Sequence, residues 1–345
     1  FHGGVSWMRG GFLGVDAFFV LSGLLITSLL LDEAARTGSV DLGRFWARRA
    51  RRLLPALLAL IAVAGLYGAL LAPTGSLASL RRDGLAALLY VANWRFIDAG
   101  ADYFEATAAP SVLRHTWSLA IEEQFYLVWP AAVLILGRER LMRACVAIVV
   151  VSPVMRLTAL SLGLHPFVAC TFTPLRLDGL ALGAWLAAAM GDERHAARLR
   201  MYAPKAAVLS LAWLAGLAWW KGDLFHLETR MLVLGLTPLA ALAGSLISLA
   251  IAPGRNVVRR IVETAPLRAA GRYSYALYIM HWPLATWLVT VVDVPGVDDR
   301  QPAGRLLFAV VAGGTSWVCA WLSWHLFERH FLRLKDRFRE RGPST

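Results

Sequence analysis

Acidic residues are scarce in this 345-residue chain: 23 Asp and Glu stand against 35 Lys and Arg, and charged residues of both signs make up only 17% of the sequence. With 58% hydrophobic residues beside it, so little charge excludes an ordinary soluble domain and points to a polytopic membrane protein. Cysteine is nearly absent too. Cys145, Cys170 and Cys319 lie scattered in or beside apolar runs without ligand spacing, which supports neither a disulfide framework nor a zinc site, and no metal is expected. The start of the chain shows no methionine, basic n-region or cleavage site, so no signal peptide is read there. His2 sits just before the flexible segment GGVSWMRGG, where the end of an earlier hydrophobic span is expected, and a first helix is expected to be missing. Internal repeats, heptads, low-complexity linkers and an appended soluble domain are also lacking. One membrane domain, 1–331, is therefore expected to carry the chemistry, followed by a basic cytoplasmic tail at 332–345.

What the chain does have is long apolar runs. Runs able to cross a bilayer, at roughly 17 to 25 residues each, fall at about 12–31, 53–73, 117–137, 141–162, 171–190, 203–220, 231–252, 272–292 and 304–327. These nine runs predict an all-α polytopic fold. A further run, 84–97, is short and ends in the polar NWRFID, which suits a re-entrant or interfacial segment. Treated as non-crossing, it leaves the loops 32–52, 138–143, 191–205 and 253–272 and the tail on one side with 24 Lys and Arg, against 9 on the other. By the positive-inside rule the richer side is cytoplasmic. The net charge of +12 thus reports orientation and contact with membrane lipids, and no nucleic-acid partner is expected.

The densest charge lies in RFWARRARRLLP, residues 44–55. Arg44, Arg48, Arg51 and Arg52 follow helical spacing and share a face, Arg49 lies among them, and Asp41 is placed to cap the helix start. A positive-inside anchor explains such a cluster; so does a cradle for a polyanionic cofactor, because guanidinium groups bind phosphate bidentately. Ionisable groups inside apolar runs are costly and mark functional candidates. In GGFLGVDAFFVLSGLLIT, residues 10–27, glycines allow close helix approach around Asp16 and Ser22. In HTWSLAIEEQFYLVWP, residues 115–130, Ser118, Glu122 and Tyr126 recur every fourth position with Glu123 one step round. In TPLRLDGLALG, residues 173–183, Arg176 and Asp178 diverge on a helix, so each is expected to pair with another span in a structural lock. In GRYSYALYIMHWPLATW, residues 271–287, Ser274, Tyr278 and His281 form one polar stripe.

In this order, the segments resemble the acyltransferase 3 family of integral membrane acyltransferases, whose successive signatures look like GGFLGVDAFFVLSGLLIT, FWARRARRLLP, HTWSLAIEEQFYLVWP, RLDGLALG and SYALYIMHWP. The resemblance implies a ten-helix fold in the bacterial cytoplasmic membrane, nine helices of which are counted above. It implies transfer of an acyl group, usually acetyl, from cytoplasmic acyl-CoA to a hydroxyl of an extracytoplasmic surface glycan or lipid-linked sugar. The family's first helix carries an arginine followed by a histidine taken as catalytic; His2 matches the histidine, and the arginine would precede Phe1. Some members carry an additional esterase-like domain, whose role here would fall to a separate extracytoplasmic transferase partner.

On that resemblance His2 is the expected base, and Glu122, Glu123, Tyr278 and His281 are further catalytic candidates. Arg44, Arg48, Arg49, Arg51 and Arg52 are expected to hold the phosphates of acetyl-CoA. Asp16, Ser22, Ser118, Arg176, Asp178 and Ser274 are supporting residues. The rival reading is a transporter or exporter of a glycan precursor or acyl group, in which intramembrane Asp, Glu and His form a proton path; no inverted repeat favours it. A non-enzymatic membrane subunit would need the arginine helix only as an anchor.

Overall fold

A computed structural model describes residues 13–70, 76–99, 111–221, 227–288 and 302–329. The described residues form helices and turns, with no strand among them. The helices are α1 (Leu13–Thr37), α2 (Leu42–Leu70), α3 (Ser76–Leu88), α4 (Ala92–Asp98), α5 (Trp117–Ser161), α6 (Pro166–Thr171), α7 (Leu177–Met190), α8 (Glu193–Lys221), α9 (Leu236–Ile251), α10 (Val257–Val262), α11 (Ala265–Trp287) and α12 (Pro302–Ser323). Six helical stretches among the described residues are long and apolar enough to cross a membrane, and the chain is an all-α polytopic membrane protein.

Helix α5 is two arms. The backbone leaves the helical region at Gly137, with φ 64° and ψ 168°, a conformation that glycine adopts without steric cost. Each arm is long enough for one crossing at about 1.5 Å per residue, and the break falls between the expected runs at 117–137 and 141–162. Helix α2, by contrast, continues through Pro55, so its basic and apolar halves are one rod.

The run at 171–190 is not one continuous helix. Phe172 is extended, Thr173–Leu175 form a single tight turn containing Pro174, and α7 restarts at Leu177 with 14 residues. Proline at position 174 lacks the donor that would continue the helix, and the guanidinium of Arg156 takes up the Leu175 carbonyl at 2.6 Å. The segment around 84–97 is also broken. Tyr90, at φ 55°, separates the 13-residue α3 from the 7-residue α4, and at about 1.5 Å per residue neither spans a hydrocarbon core of about 30 Å. Buried Asn93 fixes this hairpin: its amide donates to the Thr171 carbonyl at 3.1 Å and to the Thr173 hydroxyl at 2.9 Å. Gln124 of α5 donates to the Tyr90 carbonyl at 2.9 Å and accepts from Thr173.

Helices α1 and α7 form the centre. A Cβ on Gly23 would collide with the Leu180 carbonyl, and one on Gly183 with the Val20 carbonyl, so the two backbones touch where lipid supplies no hydrophobic drive and close packing must hold the pair. Around them Phe19, Ile26 and Leu30 of α1 pack with Phe125, Tyr126 and Trp129 of α5 and with Leu180 and Ala184 of α7. A second cluster joins Leu57 and Leu60 of α2, Phe96 of α4, Leu119 of α5 and Ile279 of α11. Together the two clusters set α1, α2, the first arm of α5 and α11 around a gap.

Candidate active site

That gap is a cavity with about 200 Å³ of water-accessible space. Val15, Phe18, Leu25 and Leu29 give it an apolar wall from α1, while Ser22, Arg49, Arg52, Ser118, Glu122 and Tyr278 bring polar groups from four helices. An apolar wall facing polar groups suits the acyl end or the arm of a larger amphipathic molecule.

The basic end is built on α2 and α5. Arg49 donates from Nε and Nη2 to Glu123 Oε1, at 3.2 and 2.8 Å, and its guanidinium carbon sits 3.8 Å from the Tyr126 ring centroid. Carboxylate on one edge and aromatic face on the other hold this arginine in a single orientation at the cavity wall. Arg52, three positions on, lines the same cavity. Glu122 is turned about 100° from Glu123 around the helix and faces the cavity instead of Arg49's fork.

The other end is built on α5 and α11. The Tyr278 hydroxyl donates to the His115 carbonyl at 2.6 Å and lies 2.5 Å from Ser118 Oγ. Because the carbonyl accepts the phenolic proton, Ser118 is the donor in the second bond. His281 Nδ1 lies 2.6 Å from the Tyr278 carbonyl, which again only accepts, so Nδ1 carries the hydrogen of that bond. The His115 ring is 5.6 Å from that of His281 and 5.7 Å from that of Tyr278, centroid to centroid. Ser118 and Tyr126 are eight positions apart, so the two ends are separated by about 12 Å along α5.

A family model described as an acyltransferase domain matches residues 1–325. The chain belongs to the acyltransferase 3 family. It is 33% identical over 337 residues to "Peptidoglycan O-acetyltransferase OatA" of Listeria monocytogenes, covering 95% of this chain and 52% of that protein. It is 30% identical over 342 residues to "Putative peptidoglycan O-acetyltransferase YrhL" of Bacillus subtilis, with the same coverage of 95% and 52%. Against "O-acetyltransferase OatA" of Staphylococcus aureus it is 49% identical over 133 residues, which are 39% of this chain and 22% of that protein. The chain thus spans about half the length of the Listeria and Bacillus relatives. No solved structure matches it.

Within this acyltransferase 3 chain, the cavity gathers Ser22, Arg49, Arg52, Ser118, Glu122, Ser274 and Tyr278, with Glu123 and His281 one contact behind. Three of the arginines on the expected shared face do not line it. Arg44 is exposed and its amide donates to the Asp41 cap at 2.8 Å; Arg48 pairs with Glu33 at 3.2 Å; Arg51 is half-buried and its Nε donates to the Ala47 carbonyl at 3.0 Å. Of the expected face only Arg52 meets the cavity, together with Arg49 beside it. Arg176 and Asp178 also lie elsewhere and pair with different helices: Arg176 with Asp16 of α1, and Asp178 with Arg156 of the second arm of α5, each at 2.9 Å. Thr237 adds a bond to Asp178 at 2.6 Å. All four charges are buried, so Asp16, Arg176 and Asp178 tie helices together away from the cavity.

His2 lies outside the described residues. No group of His, Cys, Asp and Glu among the described residues is arranged to hold a metal ion. His115 was not singled out from the sequence, although it stands three positions before Ser118, where the polar stripe of α5 extends back by one helical step.

Proposed function

We propose that this chain is an O-acyltransferase of the bacterial cytoplasmic membrane, moving an acetyl group from cytoplasmic acetyl-CoA to a hydroxyl of a cell wall glycan outside. The observation that carries the reading is the cavity: it brings together Arg49 and Arg52 of the arginine segment, Glu122, and Ser274 and Tyr278, from three segments far apart in sequence, with Glu123 and His281 one contact behind. The names of the Listeria and Bacillus relatives support peptidoglycan as the acceptor class.

In this reading Arg52 and Arg49 hold donor phosphates at the basic end, which continues into the loop 32–52 that charge bias assigns to the cytoplasm. The acyl end of the donor lies along the apolar wall of α1. The acceptor hydroxyl enters from the end bearing His115 and His281. A base removes its proton as the oxygen attacks the thioester carbonyl; the C–O bond forms, the C–S bond breaks, and the thiolate leaves to take up a proton. His2 is the expected base, and His281, oriented by its Nδ1 bond to the Tyr278 carbonyl, supports at the acceptor end. Whether the glycan hydroxyl attacks directly or an extracytoplasmic transferase first takes the acyl group is a difference in the acceptor, with the same chemistry at the thioester.

Radiolabelled acetyl-CoA supplied to inside-out vesicles tests this. Label should leave the coenzyme only when the chain is present and appear as alkali-labile ester on wall glycan or on an extracytoplasmic carrier protein. Intact acetyl-CoA after incubation with acceptor-loaded vesicles would overturn the reading in favour of a transporter or a non-catalytic subunit.

A further inference from the structure

A second cavity shares no lining residue with the first. It is an open groove of about 530 Å³ between the second arm of α5, α7 and the start of α8. Its floor is apolar, with Met142, Val146 and Leu199, and Trp185 and Tyr202 flank it. Arg143 enters from α5 and Arg198 from α8. Neither guanidinium makes a hydrogen bond or ion pair among the described residues.

Of the other ionisable groups in its lining, the His195 ring is engaged with Asp192 at 2.6 Å; beyond the lining, Arg138 donates to the Ala188 carbonyl at 3.2 Å and Arg200 pairs with Glu193. Glu139 also lines the groove, so the uncommitted balance is two guanidiniums against one carboxylate. Two uncommitted cations from different helices, beside apolar side chains, suit an anion that carries its own apolar part.

Placement narrows the source. Both arginines belong to the basic helix ends, 138–143 and 191–205, that charge bias puts on one side, and Trp and Tyr are the side chains that gather at headgroup depth. Free phosphate would use the arginines and leave Met142, Val146 and Leu199 uncovered, whereas a phospholipid uses both. Glu139 disfavours headgroups that add a carboxylate. We propose that this groove is a binding site for an anionic phospholipid of the phosphatidylglycerol type, with its phosphate at Arg143 and Arg198 and an acyl chain along Met142 and Val146. Such a lipid fastens the start of α8 to α5 and α7, independently of any acyl transfer.

The test uses the full chain in nanodiscs of phosphatidylcholine carrying increasing phosphatidylglycerol, reading retained lipid by native mass spectrometry and the unfolding temperature in parallel. Wild type should retain phosphatidylglycerol selectively and unfold later as its fraction rises. Arg143→Gln with Arg198→Gln should weaken that retention by about 10- to 30-fold and abolish the shift. Arg198→Gln alone, at an exposed position, gives the same reading in smaller measure if the double variant is not recovered. Arg255→Gln with Arg260→Gln removes equal charge from the same side but outside the groove, and should behave as wild type. The proposal is overturned if the two double variants lose lipid equally, since general charge then explains it. It is also overturned if soluble glycerol phosphate protects as well as the lipid, or if phosphatidylcholine is retained equally.

Discussion

Among single residues, Arg49 shows best how a charge becomes a positioned tool. Its guanidinium is fixed between the Glu123 carboxylate and the Tyr126 ring, while Arg52 lines the cavity without a hydrogen-bond or ion-pair partner among the described residues. A charge-assisted hydrogen bond is worth about 1.5 to 3 kcal/mol, so Arg52→Gln should raise the KM for acetyl-CoA by roughly 10- to 100-fold with kcat little changed. Arg44→Gln and Arg51→Gln, outside the cavity lining, should leave it unchanged. At the other end, His281→Gln keeps a group able to donate to the Tyr278 carbonyl and should retain part of the single-turnover rate, whereas His281→Ala should lose more, by about 10²-fold. Equal rates in the two variants would remove His281 from the reaction. The sequence made the arginine cluster and both ends of the stripe visible, because spacing reports which side chains share a face. It did not report which face meets the cavity: that choice is made by Glu123 on another helix, seventy-four positions away, and periodicity within α2 carries no information about it.

Helix packing is decided by small residues and buried charges. The Gly23 and Gly183 contacts leave no room for a methyl group against a backbone carbonyl, and overpacking of this kind costs about 1 to 3 kcal/mol. Gly23→Ala and Gly183→Ala should therefore each lower the thermal stability of the detergent-solubilised protein, while Gly14→Ala, with open space at its Cβ, should not. Asp178→Asn leaves Arg156 buried without its counter-charge, a change of about 3 to 5 kcal/mol. It should reduce the folded yield strongly, whereas Arg156→Met with Asp178→Leu should recover much of it. The divergence of Arg176 and Asp178 was legible, since two positions on a helix face different ways. The interruption at Phe172 to Leu175 was less so. Pro174 hinted at it, but the Arg156 guanidinium that occupies the Leu175 carbonyl comes from a different helix, a partner that a hydropathy window cannot see.

For the molecule as a whole, composition alone fixed the class, because 58% hydrophobic residues in long runs leave few alternatives to crossing a bilayer. The short pair α3 and α4 and the break at Gly137 likewise follow from turn chemistry and length. Orientation rests on the charge bias, and a single cysteine at Ala196→Cys should stay unlabelled by an impermeant thiol reagent in intact cells and react in inside-out vesicles. Labelling from outside would invert the scheme and place the basic end of the cavity away from acetyl-CoA. The central claim, that this cavity is where the acyl group changes hands, is tested most directly by acetyl-CoA kinetics in inside-out vesicles with Arg52→Gln set against the double variant Arg44→Gln with Arg51→Gln. The account predicts a KM for acetyl-CoA raised at least about 10-fold in the first and unchanged in the second. Equal KM values in both variants, at matched amounts of inserted protein, would contradict it.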